Sequence, residues 1–185
     1  MQSTNARYQE LLASTHRMQT QLYIDNVVYG EEKIMEGSLQ TKNSLFQGDI
    51  PTVGGAVAGE ISVQLLGVLS SSVARMAELR PQVRLVGDSG EPSEWVAQGV
   101  YNVDKRSYNK QTGVLTLHGY DKMLATEQWY TGSVGTGGVT DITIVNRVCT
   151  QVGITLDSET DSFFSASGKK YKVTKPRNYT CRELL

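Results

Sequence analysis

The stretch from Glu94 to Asp121 constrains the fold more than any other part of the chain. Its sequence is EWVAQGVYNVDKRSYNKQTGVLTLHGYD, in which two β-rich runs flank the turn-forming residues NKQTG. In VLTLHGYD, Leu115 and Leu117 alternate with other residues, as in a strand that is buried on one face. Gly113 favours the left-handed conformation that closes a hairpin loop. We therefore predict two antiparallel strands joined by a hairpin, the first of them bulged at Gly99.

Other stretches alternate in a similar way and extend the β pattern. They are HRMQTQLYIDNVVY (16–29) with a turn at Asp25-Asn26, the weaker EKIMEGSLQTKNSLF (32–46), GEISVQLL (59–66) and PQVRLVG (81–87). Gly37 suggests a bulge or the close approach of another backbone, and LGVLSSSVAR (66–75) suggests a mobile crossing. No strand–helix alternation typical of a parallel sheet occurs. The fold class is therefore predicted as mainly β with minor α, an antiparallel β-barrel or sandwich.

Helical signals mark both ends of the chain. Residues 5–14 predict a short amphipathic helix, and the apolar residues that follow Thr140 share one helical face up to Gly153, a good stop residue. Thr180 and Glu183 have the capping-box spacing. Because a helix that starts so well should extend beyond one turn, we expect the natural chain to continue past residue 185.

These patterns predict a division into domains. The predicted parts are a helix over 1–15, a β-barrel over 16–130, a Gly-rich joint over 131–139, and a partial second α+β domain over 140–185.

Composition excludes several classes of protein. The 185 residues carry a net charge of −1, so no global basic field favours specific nucleic-acid binding. Only Cys149 and Cys181 occur, too few for a disulfide framework or a thiolate zinc site, and we expect both to be small buried residues. The chain begins without a signal peptide, and no run approaches the ~18 apolar residues of a membrane helix. We expect no membrane anchor.

Three polar residues close together raise the question of catalysis. His118, Tyr120 and Asp121 lie at the end of a predicted strand, where His118 should face outward and Asp121 should cap a short helix. A catalytic site needs a nucleophile and an orienting partner, and the sequence indicates neither. The interpretation is structural, and no catalytic residue is predicted.

Metal, phosphate and glycan motifs fail in the same way. Asp157, Glu159 and Asp161 begin like a calcium loop, but the required glycine and final glutamate are missing, so a solvated acidic turn is predicted. The run GTGG (135–138) lacks the lysine of a phosphate loop. The sequence at Asn178 matches an N-glycosylation acceptor, but without a secretion signal no glycosylation is predicted. No metal or cofactor is predicted. The basic run KKYKVTKPR (169–177) fits a solvated edge strand better than a nucleic-acid contact.

The stretch AELRPQVRLVGDSGEPSEWVAQGVYNVDKRSYNKQTGVLTLHGYDKMLATEQ carries a resemblance. Its strand, then WVAQGVYNVD, then TGVLTLHGYDKM resemble the N-terminal region of prophage tail proteins from phages of Gram-positive bacteria, the baseplate hub or tail-associated structural proteins. GEISVQL, the Gly-rich joint and TDITIVNRVCTQVGI follow in the same order, over roughly residues 16–185.

The resemblance implies a tail-tube-like barrel that forms a ring, a trimer, at the virion tail tip and continues the tail tube. It implies distal-tail, tail-tube and tape-measure partners, assembly in the host cytoplasm, and tail-fibre or lysin domains further along the chain. It implies no enzymatic activity for this region.

Two alternatives from other classes remain open. The first is a β-sandwich module that binds cell-wall carbohydrate through aromatic rings: Trp95, Trp129, Tyr101, Tyr108 and Tyr130. A flat exposed platform of Trp129 and Tyr130 would favour it. The second is a wall-degrading enzyme, which needs paired carboxylates in a cleft, with Glu91, Glu94 and Asp104 as the nearest candidates.

Overall fold

A computed structural model describes residues 4–43, 57–88, 90–132, 139–167, 170–171 and 178–185. The chain forms two compact units. The first comprises the described residues up to Lys42 and then Gly59–Asp121, and the second consists mainly of the described residues from Lys122 onward. The domain boundaries expected from the sequence stay a prediction.

The first unit is built almost entirely of strands. A short helix, α1 (Ala6–Leu12), precedes them, and the side chain of Asn5 caps it by accepting a hydrogen bond from the Tyr8 N–H at 2.8 Å. The strands are β1 (His16–Ile24), β2 (Val27–Tyr29), β3 (Gln40–Lys42), β4 (Glu60–Leu66), β5 (Glu78–Gly87), β6 (Val96–Ala97), β7 (Tyr101–Asn109) and β8 (Val114–Tyr120).

All eight strands belong to one antiparallel sheet. Its order is β2-β1-β5-β7-β8-β4-β3, with β6 paired to β5 beside this path. The prediction of a mainly β fold with minor α is confirmed. In the described residues the path is open, because β2 and β3 end it without pairing to each other. Closure into a barrel therefore stays a prediction.

The core of the first unit follows the alternation in the sequence. Ile61, Val63 and Leu65 of β4 are buried, as are Leu115 and Leu117 of β8, while the residues between them are less buried. The hairpin with Gly113 at a φ of 67° and the turn after Ile24 also form as predicted. Burial of one face of the longer strands, as in β4 and β8, provides the main driving force for this unit.

Glycine positions correct one sequence prediction and confirm another. A Cβ added at Gly37 would meet nothing within 4 Å, so no backbone approaches it. The close approach occurs at Gly119, where a Cβ would lie 2.6 Å from the Asn102 carbonyl oxygen. The bulge predicted at Gly99 is present: between the pairs Gln82–Ala97 and Leu79–Tyr101, the strand that holds Gly99 has one residue more than β5. A further register shift, against β8, lies between Val103 and Lys105.

The predicted mobile crossing is packed against the core. Val68, Val73 and Ala77 are buried members of the main apolar cluster, on either side of a 3-10 turn at Ser70–Ser72. The Arg106 guanidinium donates hydrogen bonds to the carbonyls of Ser70 and Val73. The sequence did not predict these three apolar residues as part of the core, because their spacing around the serine run matches neither a strand nor a helix.

The second unit is mixed α and β. It contains a 3-10 turn (Lys122–Glu127), β9 (Val139–Thr140), α2 (Asp141–Val152), α3 (Ser158–Ser167), β10 (Lys170–Tyr171) and α4 (Cys181–Leu184). The pair β9–β10 is antiparallel. Ile144 and Val148 of α2 pack with Tyr130 and Cys181 in a small apolar cluster.

The predicted helix signals are present in the second unit. Gly153 ends α2 in the left-handed conformation, with a φ of 72°. Thr180 and Glu183 form a complete capping box at the start of α4. The predicted acidic turn at Asp157 is wrong, because Ser158–Ser167 continues as α3. Its acidic residues fall in the first helical turn, where the helix dipole favours negative charge.

Candidate interaction surface

One edge of the sheet in the first unit is only partly covered. β5 pairs with all nine residues of β1, whereas β2 pairs only with Leu22, Tyr23 and Ile24. Within the described chain, no strand pairs with residues 16–21 on the side away from β5. We call residues 16–21 the free β1 edge. Unpaired edges of this kind are templates for added strands.

Two observations show which backbone groups point outward from this edge. Pro81 lies opposite Leu22, and its carbonyl accepts a hydrogen bond from the Gln98 N–H, away from β1. Leu85 lies opposite Met18, and its carbonyl accepts from the Ser93 N–H, also away from β1. In an antiparallel pair, directly opposite residues point their backbone groups either toward each other or both away. Met18 therefore directs its N–H and C=O outward.

Glu31 occupies part of the free β1 edge. Its carboxylate accepts hydrogen bonds from the Thr20 backbone N–H at 3.3 Å and from the Arg17 guanidinium at 3.3 Å. The Gln19 amide donates to the same carboxylate at 3.5 Å. The outward direction of the Thr20 N–H agrees with that of Met18 two residues earlier. Glu31 thus satisfies one edge donor with a partly exposed side chain.

A recess of about 570 Å³ lies beside this edge. The recess is lined by Arg17, Met18, Thr20, Glu31, Ile34, Met35, Glu36, Gly37 and Leu39. Its apolar members include Met18, whose surface is 56% exposed. Its far wall is the segment that leads into β3, held to β4 by the Met35 N–H, which donates to the Gln64 carbonyl at 2.9 Å. A recess with both apolar and charged side chains beside unpaired backbone groups is an arrangement that can receive an extended strand.

The outward polar face of β1 and β5 is fixed by stacking. The Arg84 guanidinium lies 4.4 Å from the centre of a Trp95 ring and donates from Nε to the Gln19 side chain at 2.8 Å. Arg80 lies over Tyr23 at 5.5 Å. These contacts hold long side chains in place at modest entropic cost. They also cover one face of the Trp95 ring.

The cluster at the end of β8 has a structural arrangement. His118 is exposed, as predicted, and its cross-strand neighbours are Lys105 on β7 and Ser62 on β4. Neither neighbour is an acid that could orient the ring. The Asp121 N–H donates to the Gly59 carbonyl at 3.0 Å and closes the β4–β8 ladder. We assign these residues no catalytic role.

The aromatic residues do not form the platform that carbohydrate binding would favour. Trp129 is 63% exposed but Tyr130 only 3%, because they alternate in an extended segment that bridges to Thr180. Gln151 holds this segment by donating to the Trp129 carbonyl at 2.9 Å and accepting from the Thr131 N–H at 3.0 Å. In the first unit, Tyr101 is buried and Tyr108 packs against the core.

The three candidate carboxylates are exposed and lie in separate surroundings. Glu91 lies 3.8 Å from the Arg7 guanidinium, and Glu94 accepts the Asn5 backbone N–H. Asp104 lies at a shallow surface site beside the cationic residues Arg75, Lys105 and Arg106. These contacts account for Glu91 and Glu94 as surface residues that fasten the N-terminal segment. They do not make the paired carboxylates that glycoside hydrolysis requires.

The acidic residues near position 157 act on helix α3. Asp157 accepts hydrogen bonds from the backbone N–H groups of Glu159 and Thr160, and from the Thr160 hydroxyl at 2.6 Å. It is therefore the N-cap of α3. These bonds, the Thr160 hydroxyl first, lower the pKa of the exposed Asp157 carboxyl.

The described residues contain no group of three His, Cys, Asp or Glu side chains that could hold a metal ion. No described helix has both the length and the apolar content to cross a membrane. The run GTGG (135–138), and Lys169 and residues 172–177 of the basic run, lie outside the described residues, while Lys170 and Tyr171 form a strand paired to β9.

Both cysteines are free and buried, as predicted. Cys149 lies in α2 and Cys181 begins α4. Burial raises the pKa of both thiols, which keeps them protonated and unreactive at neutral pH. They act as small apolar residues in the second unit.

Comparison with known proteins gives one distant structural likeness to report. No family model and no curated protein matches the sequence. The 43 kDa tail protein of prophage MuSo2 from Shewanella oneidensis is similar over 83% of this chain, with 13% identity and a TM-score of 0.43. The alignment covers 51% of that protein, so this chain spans about half of its length.

Proposed function

We propose that this chain is a structural subunit of a phage tail tip or baseplate hub. In this role several copies, three in our proposal, form a ring that continues the tail tube and anchors domains further along the chain. The observation that carries the proposal is the antiparallel sheet of the first unit, which in the described part of the chain is open and has an unpaired edge on each side. The resemblance of residues 16–185 to tail proteins supports it.

The chemistry of the surface agrees with a scaffold. Of the carboxylates considered for catalysis, Glu91 and Glu94 contact the N-terminal segment, and Asp104 lines a surface site together with Arg75, Lys105 and Arg106. Exposed apolar side chains occur on strands, as at Val27 and Val28 of β2. A monomer with an apolar edge strand is at risk of aggregation, whereas a ring subunit covers such an edge with its neighbour. A net charge of −1 permits close packing of several copies.

The proposed partners are other copies of the chain, the distal tail protein, the tail-tube protein and the tape measure. The proposed place is the virion tail tip, after assembly in the host cytoplasm. Carbohydrate binding remains the second candidate because the Trp129 ring is exposed, but a single ring without Tyr130 beside it offers only one stacking face.

The test begins with tailed particles from the bacterium that encodes the chain. Mass spectrometry of purified particles should find the chain, and antibodies against it should label the tail tip in electron micrographs. Deletion of its gene should stop tail assembly before the tube forms. Purified, infectious particles that lack the chain would refute the proposal.

The ring is tested separately by mass. Light scattering coupled to size exclusion should give three times the monomer mass for the full-length protein or for its complex with tail partners. Binding of purified cell-wall glycan, lost in Trp129→Ala and kept in Trp95→Ala, would instead favour the carbohydrate module.

A further inference from the structure

Among the described residues, a second edge without a paired strand lies at the opposite end of the sheet, on β3. β4 points the backbone groups of Gln64 and Leu66 toward the β3 side, since Gln64 accepts from the Met35 N–H and Leu66 donates to the Lys33 carbonyl. By the same alternation Ser62 and Glu60 bond Gln40 and Lys42. Thr41, between these two, directs its N–H and C=O outward. The sheet therefore presents outward backbone groups at Met18 on one side and Thr41 on the other.

The two edges run in compatible directions. Five antiparallel pairings lead from β1 through β5, β7, β8 and β4 to β3, so β3 runs opposite to β1. A second copy that continues the sheet beyond β1 would offer its β3 edge in the antiparallel direction. Such a contact joins two different surfaces, the heterologous type that generates rings.

The charges at the two edges are also complementary. The free β1 edge and its recess carry Arg17 and Glu31, which pair with each other at 3.3 Å, and also Glu36, whereas β3 carries the exposed Lys42. In the described residues neither Glu36 nor Lys42 has an ion-pair partner. Lysine on an edge strand discourages pairing with an ordinary edge. A lysine on an edge strand can instead be compensated by carboxylates on the edge with which that strand pairs.

We propose that the free β1 edge of one copy pairs with the β3 edge of the next copy, head to tail, with the added strand lying along the recess. This inference rests on the proposed ring function and names its contact. On pairing, the added strand competes with Glu31 for the Thr20 N–H, and Lys42 of the neighbour compensates the released carboxylate.

Disulfide trapping tests the contact at single-residue resolution. If Thr41 lies opposite Met18, Gln19 faces Gln40 of the neighbour, and if Thr41 lies opposite Thr20, Gln19 faces Lys42. The full chain with Gln19→Cys is mixed under mild oxidation with the chain carrying Gln40→Cys or Lys42→Cys. One of the two mixtures should give heterodimer in clear excess over both homodimers. Ser107→Cys, at an exposed position of β7, is the control partner.

Proline variants then test the backbone pairing. Met18→Pro removes an outward N–H group of β1 and leaves the hydrogen bonds between β1 and β5 intact. Thr41→Pro removes an outward N–H group of β3 and leaves the hydrogen bonds between β3 and β4 intact. Each should abolish the cross-link when placed in the copy that supplies that edge. Circular dichroism of each variant verifies that the fold persists.

The outcomes separate the contact from the function. A heterodimer yield no greater than with Ser107→Cys, or a yield unchanged by both prolines, would overturn the contact. Loss with Met18→Pro alone would overturn it too, because another strand would then occupy the β1 edge. If the chain is present in tail particles but the cross-link does not form, the proposed contact is refuted and the proposed function is not. If the chain is absent from the particles, the proposed function is refuted.

Discussion

Replacing Gln19 by proline should destabilise the first unit far more than replacing Met18, although the two residues are neighbours in β1. The backbone groups of Gln19 point toward Arg84 of β5, and those of Met18 point away from β5. Proline lacks the N–H donor, so it breaks the ladder only where that donor is used. The comparison tests the assignment of the free edge without any reference to assembly.

The size of the difference follows from two contacts. Gln19→Pro leaves the half-buried Arg84 carbonyl without its donor, which costs about 1–3 kcal/mol. It also removes the side-chain oxygen that accepts from Arg84 Nε at 2.8 Å, a net contribution of about 0.5–1.5 kcal/mol. We expect a total loss of about 1.5–4.5 kcal/mol. Met18→Pro loses neither contact and should stay within about 1 kcal/mol of the parent.

The chain has one tryptophan in each unit, so removing Trp129 leaves Trp95 as the only tryptophan. In a Trp129→Phe background, the fluorescence of Trp95 reports the first unit during urea unfolding. Linear extrapolation gives the free energy of unfolding for each variant. Gln19→Ala, which loses only the side-chain contact, separates the two contributions. Equal destabilisation by the two prolines would refute the outward orientation of Met18 and with it the free β1 edge.

Three further predictions concern packing, titration and reactivity. Leu117→Ala should lower the free energy of unfolding of the first unit by about 2–5 kcal/mol, because Leu117 is fully buried. The control variant Thr116→Ser should change it by less than about 1 kcal/mol. Similar losses in the two variants would contradict the β8 register. Asp157 has a lowered pKa, so its stabilising effect on α3 is complete above the pKa of an ordinary aspartate and disappears as the pH falls through the lowered value. An NMR titration of its carboxyl should show the low midpoint, and a Thr160→Val variant should raise it; an unchanged midpoint would contradict the assigned cause. Cys149 and Cys181 should react slowly with a thiol reagent at neutral pH and rapidly after unfolding, and rapid reaction in the native state would contradict their burial.

Much of the local structure could be predicted from the residues. Alternation identified the buried faces of β4 and β8, and Gly113 and Gly153 marked a hairpin and a helix end. The capping box at Thr180 was also visible. These features depend on residues close together in the chain, where propensity and hydrogen bonding act directly.

The misplaced features share a different cause. Gly37 and Gly119 are both glycines in or near strands, but only the carbonyl of Asn102, on a neighbouring strand, makes one of them necessary. Val73 is buried although its local pattern matches no regular element, because the fold places it over the core. In each case a contact between separate elements decides the role of the residue.

The candidate interaction surface depends entirely on contacts between elements that are far apart in the sequence. Sequence alone determined that β1 is a strand with one apolar face and that a turn follows Ile24. Only the tertiary structure decided that β5 covers the whole length of β1, that β2 covers three residues of it, and that Glu31 reaches the Thr20 N–H. Periodicity specifies which way a side chain points, but hydrogen bonds between strands far apart in the chain decide which backbone edge is left unpaired.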